Sequence, residues 1–158
     1  VQIEHITKQL EQTYNGQPWY GDSVAMKINA ISAETAFLQT SPGLHSIAEI
    51  LAHMIVWRKA AIEWLRGNSQ YNVTLNSKDD WPLYETLQEI GWEELKQQFA
   101  DTQTQLLSLL RNRTDEILPH PYSKKPYTFQ FLLEGIIQHD VYHLGQIGVI
   151  VKAASLKQ

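Results

Sequence analysis

The sequence predicts an all-α protein, a four-helix bundle with a short extra helix in the connection after helix one. Three observations predict it. Four long stretches carry apolar residues at the three- and four-residue spacing of a buried helix face. Cap and stop residues bracket those stretches. No segment shows the alternation expected of a half-buried strand. With 158 residues, 43% apolar and 19% charged, the chain suffices for one domain, residues 1–158, around one core.

The first helix is read over residues 2–14, from Ile3, Ile6, Leu10 and Tyr14, and the Asn15-Gly16 pair stops it. Residues 17–45 are broken by Pro18, Gly21, Pro42 and Gly43. Within them Asp22 can cap a short helix through Val24, Ile28 and Ile31. The second long helix, 46–66, opens on a capping box. Ser46 stands at the N-cap and Glu49 three residues on, and Gly67 is placed to end it. Residues 77–82, SKDDWP, form a break, and Tyr84–Ile90 reads as a short helical approach. The third helix starts at Trp92 and continues through Leu95, Phe99, Leu106 and Leu110. Glu93 and Glu94 are in its first turn, and Arg111 and Arg113 near its end complement the helix dipole. Residues 119–126, PHPYSKKP, hold three prolines and cannot be helical. Thr128 can then cap a last helix through Phe129, Leu132, Leu133, Ile136, Ile137, Ile147, Ile150 and Val151.

Composition excludes several classes. The formal net charge is −4, and no basic cluster is denser than a pair such as Lys124-Lys125, so nucleic acid is not an expected partner. The chain has no cysteine, which removes disulfides, thiolate zinc sites and cysteine nucleophiles. No secretory leader pattern opens the sequence, and no apolar run approaches a membrane span. A soluble, cytoplasmic protein is expected, with no membrane partner.

The chemistry-bearing feature is GIIQHDVYHLGQIG, residues 135–148, which sets His139 and His143 four residues apart in an apolar run. At about 100° per residue and with Ile147 at the centre of the stripe, His143 lies about 40° and His139 about 80° to the same side. Two imidazoles one helical turn apart can share a metal ion, or can be half-buried helix histidines, and the spacing alone fits either. On the second long helix His53 also borders the apolar face. Its ring either packs on Trp57, four residues on, or faces the same metal. Facing helices of a bundle are where ligands meet, and three histidines leave coordination positions open, as a reactive site requires. Asp140 and His143 also have the D-x-x-H spacing of di-iron bundles, but no second such motif exists to complete that centre. Gly145 and Gly148 fall on the opposite flank, where small residues would admit a neighbouring helix. Glu49, Asp140 and Tyr142 read as cap, helix-surface charge and packing residue, and no acid–base role is assigned to them. Gln146 either orients a ligand or cross-links helices.

The segments HSIAEILAHMIVW (45–57) and GIIQHDVYHLGQI (135–147), with PWYGDSVAMKINAISAET (18–35), resemble the DinB-like (DinB/YfiT-like) superfamily of metal-dependent enzymes. The resemblance implies an up-down-down-up bundle, usually a homodimer. It implies a divalent metal ion, typically zinc or nickel, near one end of the bundle. The three-histidine ligand set falls on His53, His139 and His143. Many members carry Trp at the position of His45, which marks His45 as a helix-entry residue rather than a fourth ligand. Characterised relatives include thiol-dependent S-transferases and isomerases. The expected activity is therefore that of a metal-dependent hydrolase or a thiol-dependent S-transferase, on a small-molecule thiol or electrophile. The alternative is a non-catalytic dimeric bundle that binds metal or a small molecule. Because imidazole must be neutral to coordinate, metal affinity is expected to weaken below about pH 6.

Overall fold

The architecture comes from a computed structural model that describes residues 2–156. Among the described residues there are seven α-helices and no strand: α1 (Gln2–Asn15), α2 (Val24–Asn29), α3 (Ala33–Phe37), α4 (Ile47–Leu65), α5 (Tyr84–Ile90), α6 (Trp92–Leu110) and α7 (Phe129–Ser155). One 3-10 turn, Asp115–Ile117, follows α6. A single isolated bridge joins Pro121 to Thr128 across the proline-rich loop. No helix is long and apolar enough to cross a membrane among the described residues.

The helix starts follow local chemistry. In α4 the Ser46 N–H donates to Glu49 Oε2 at 2.7 Å and the Glu49 N–H returns a bond to Ser46 Oγ at 3.3 Å. That reciprocal pair is the capping box the sequence predicts. Thr128 likewise caps α7 by accepting from the Phe131 N–H. The start of α1 is held from outside the helix. Asp115 accepts from the backbone N–H groups of Gln2 and Ile3, at 3.0 and 2.8 Å, and sets a carboxylate on the positive helix end.

Three expectations are corrected in detail. The first short helix is capped by Ser23, not Asp22, and stops at Asn29. A second short helix, α3, follows with Ser32 as its cap. Five residues carry too few apolar positions for a period to show in sequence. Arg111 and Arg113 lie past the last turn of α6; Arg113 instead donates to the Leu65 carbonyl at the end of α4, 3.2 Å away. Gly145 and Gly148 do not receive a neighbouring helix, for a Cβ at either would meet nothing within 4 Å.

Helix α4 packs on α6 and α7, while α1 packs on α7 and α6. Most of the α4 circumference is buried, as befits a helix apolar nearly all round. The core divides into two apolar clusters stacked along these helices. One holds Leu51 and Ile55 of α4, Leu95 and Phe99 of α6, and Leu144 and Ile147 of α7. The other holds Ala61 and Leu65, Leu106 and Leu110, and Leu133 and Ile136.

A polar layer lies between them. Arg58 of α4 and Asp140 of α7 are fully buried, and Gln103 of α6 is 3% exposed. Arg58 Nε donates to Asp140 Oδ2 at 3.1 Å and its Nη1 to Gln103 Oε1 at 2.8 Å, with the guanidinium over the Phe99 ring. Gln103 passes the network on by donating to the Leu10 carbonyl of α1. Every charged atom is thereby partnered, which a buried ion pair requires. Asp140 is thus not a helix-surface charge. It crosses the core to hold α7 against α4, one residue from His139.

Candidate metal centre

His53 lies at the end of the second turn of α4, and His139 and His143 lie one turn apart on α7. Their packing faces bring the three rings together. The Nε2 atoms of His53 and His143 each lie 3.1 Å from His139 Nε2, and one ligand nitrogen from each residue lies within 4.8 Å of the others. His53 and His143 are buried, and His139 is partly so.

The outer nitrogens decide the tautomers. His53 Nδ1 lies 3.1 Å from the Asp80 carbonyl and 2.9 Å from Asp80 Oδ1. Both oxygens only accept, so this nitrogen carries the proton. His143 Nδ1 lies 2.6 Å from Gln146 Oε1, an acceptor again, so it too is protonated. Both neutral rings therefore direct an Nε2 lone pair at the same point. His139 Nε2 can answer only one of them with an N–H. A cluster with more lone pairs than protons is stabilised by a cation, and three converging imidazoles are a set that could hold a divalent metal. His139 Nδ1 is buried without a hydrogen-bond partner, so packing orients this ring.

Burial also keeps the rings neutral. Desolvation drives His139 down from 6.5 to about 3, helped by His143, His53 and Arg58. Desolvation likewise lowers His53 and His143, against the opposing pull of Asp80 on the first and of the Gln146 bond on the second. Ligands that are neutral at pH 7 need release no proton to bind a metal.

Asp80 is the residue that sequence reasoning missed. It sits in the SKDDWP break, 2% exposed, and its carboxylate also accepts from Trp57 Nε1 at 2.9 Å and from the Asn76 N–H at 2.9 Å. A tight turn sets it there: Asn76 adopts φ 57°, and the Asp80 and Trp81 N–H groups both donate to the Ser77 carbonyl. A carboxylate behind an imidazole fixes the ring and raises its basicity, an arrangement that suits a metal ligand. No spacing rule connects residue 80 to residue 53, so only the fold reveals the pairing.

Trp81 extends the same loop over the site. Its ring stacks on His53 at 4.0 Å and on His45 at 3.8 Å, between the two. His45 lies outside the converging set, paired with Glu49 at 3.2 Å, and is the helix-entry residue expected. Burial alone would raise Glu49. Bonds from the Ser46 backbone and hydroxyl and from His45 outweigh it and hold the carboxyl below its ordinary range. Gln146 orients His143 rather than cross-linking helices, and its amide donates to the Tyr142 hydroxyl at 3.1 Å. Tyr142 is exposed, with its ring edge against His143, and is not a packing residue of the core.

The histidines form the floor of a cleft of about 900 Å³, walled by Leu44, Ile50, Leu75, Trp81 and Val149. No lysine or arginine is among the described residues that line it. An apolar-walled cleft with a few converging polar groups is the ordinary form of a small-molecule site.

A family model described as the DinB superfamily matches residues 22–147. No curated protein and no solved structure matches the chain.

Proposed function

The chain belongs to the DinB superfamily, and from that premise we propose that it is a metal-dependent enzyme of small-molecule chemistry, a thiol-dependent S-transferase before a hydrolase. The observation that carries this reading is the convergence of the His53, His139 and His143 Nε2 atoms at the floor of an apolar cleft. Three neutral imidazoles suit zinc or nickel. When bound, such an ion would acidify a thiol or a water beside it.

The chain's own residues favour the thiol. Hydrolysis is helped by a carboxylate free to manage the protons of water. Asp80, the one carboxylate among the described residues lining the cleft, is engaged with His53, Trp57 and Asn76. Sulfur transfer needs no such base once the thiol proton has passed to solvent. The sulfur lone pair then attacks an electrophilic carbon, and the leaving group departs with the bonding pair. The apolar walls would exclude water and hold the electrophile. The competing reading is a non-catalytic module that binds metal or a small molecule.

The assembly belongs to the same proposal. An up-down-down-up bundle of α1, α4, α6 and α7 is supported by two hydrogen bonds of equal offset, Lys59 to Gln98 and Arg66 to Gln105, which fit α4 and α6 running parallel. A homodimer is supported by Tyr142 and Val149 of α7 and Leu156 at its C-cap, exposed at seven-residue intervals beside the open Gly145.

The test is elemental analysis of protein prepared without a histidine tag, followed by a screen of thiols with electrophilic partners. About one zinc or nickel per chain, with chelator-sensitive thiol transfer, is the expected result. Metal without turnover would favour the binding module, and absence of stoichiometric metal would overturn the reading.

A further inference from the structure

A second cleft adjoins the metal cleft at Trp57 and Leu75 and lies over the C-terminal half of α4. It has a volume of about 450 Å³ and opens beside the proline-rich loop. An inner chamber of about 170 Å³ continues it, sharing Trp57, Trp64, Tyr122 and Phe131 with the outer part and ending at Gly135 and His139. The volume is in the range of small-molecule sites.

Its walls are aromatic. Trp64 and Tyr122 pack at 4.7 Å, and Tyr127 and Phe131 stack at 4.8 Å with their planes 15° apart. Tyr127 and Phe131 are nonetheless 45% and 58% exposed, so part of this stacked wall is open to solvent. The charge at the mouth is of one sign. Lys124 and Lys125 line the cleft, no Asp or Glu does, and no ion pair joins either lysine to a carboxylate among the described residues. The chain has one other adjacent basic pair, Arg58-Lys59, and there Arg58 is buried and paired with Asp140. The loop that carries it is pinned: the Tyr122 N–H donates to the Tyr127 carbonyl, the Lys125 N–H to Ser123 Oγ, and prolines bound it on both sides. Cations held beside exposed ring faces select a flat ligand with a negative end.

We infer that this cleft binds a small planar aromatic anion, its ring between the aromatic walls and its carboxylate or phosphate at Lys124 and Lys125. The residues that would hold the ligand, Trp64, Tyr122, Lys124, Lys125, Tyr127 and Phe131, line no part of the metal cleft, so the inference does not rest on the metal reading.

The probe is 2-naphthoate, titrated into the full chain with tryptophan fluorescence as the readout, with and without chelator. Saturable binding that survives chelation is expected. The double variant Lys124→Gln/Lys125→Gln should weaken it about tenfold or more, as should replacing the probe by the uncharged 2-naphthalenemethanol. Gly135→Leu would fill the inner chamber. Its Cβ meets nothing within 4 Å, and leucine is the better helix former, so this variant should fold and bind the probe more weakly. Absence of saturable binding overturns the inference. So does binding abolished by chelator and untouched by the lysine changes, which would seat the probe on the metal, or equal affinity for the uncharged analogue.

Discussion

His53 Nδ1 faces the main-chain carbonyl and the side-chain carboxylate of Asp80 together, at 3.1 and 2.9 Å. One residue of a loop thus fixes the tautomer and the angle of a ring on α4. Removing the charge while keeping the shape isolates that contribution. Asp80→Asn should weaken zinc binding by about 10- to 100-fold, the range for partners behind metal ligands. Competition against a chromophoric chelator measures it, and an unchanged affinity would reduce Asp80 to a loop residue.

The three histidines converge on one point, so each substitution should be felt by the whole site. His53→Ala, His139→Ala and His143→Ala should each strip most of the metal, as read by elemental analysis after dialysis. A variant that keeps its full complement removes that residue from the ligand set. Metal that binds only the native state stabilises it, by about 2.7 kcal/mol at a hundredfold excess over Kd. Chelation should therefore lower the unfolding temperature of the unaltered protein and leave that of the three variants in place.

Histidine as a residue type would release metal as pH falls through about 6. The buried site shifts that expectation. Desolvation holds all three rings below 6.5, His139 at about 3, so protons compete with metal only in more acid solution. Metal content should persist at pH 6 and fall below it; a release midpoint above 6 would contradict the burial. The metal-free protein follows the same sign. Each ring binds a proton when unfolded before it does when folded, so stability is full above about pH 6.5 and declines as pH drops toward the folded values. The slope is up to about 1.4 kcal/mol per pH unit for each ring. Denaturant midpoints across that window measure it.

The long helices were legible because each repeats its apolar face over several turns and opens on a side-chain cap, as Ser46 and Thr128 do. His53, His139 and His143 could be picked out because each borders such a face. Asp80 could not, because its place depends on how the loop after α4 folds back, and a turn built on Asn76 and Ser77 leaves no period to read. Asp140 is a different kind of miss. At about 100° per residue it lies about 20° from Ile147, at the centre of the stripe, and Arg58 lies about 20° from Ile47 on its own helix. Opposite charges centred on two apolar faces are the signal of a buried pair.

That pair gives the last prediction. Arg58 and Asp140 are fully buried and join the two helices that carry the histidines. Burial raises the Asp140 carboxyl, and the guanidinium works against that shift. Removing one partner leaves the other charged and unpaired in the core, so Asp140→Ala should cost about 3–5 kcal/mol in denaturant unfolding. Replacing both by apolar residues of similar volume, Arg58→Met with Asp140→Leu, should recover most of that loss, because neither charge remains to be desolvated, the remainder being the donor that buried Gln103 Oε1 loses. The double variant then separates stability from positioning. If the pair also sets the angle of α7 against α4, zinc affinity in the double variant stays below the parent even where stability is restored. If a single substitution costs less than about 1 kcal/mol, the polar layer is not the tie between the helices.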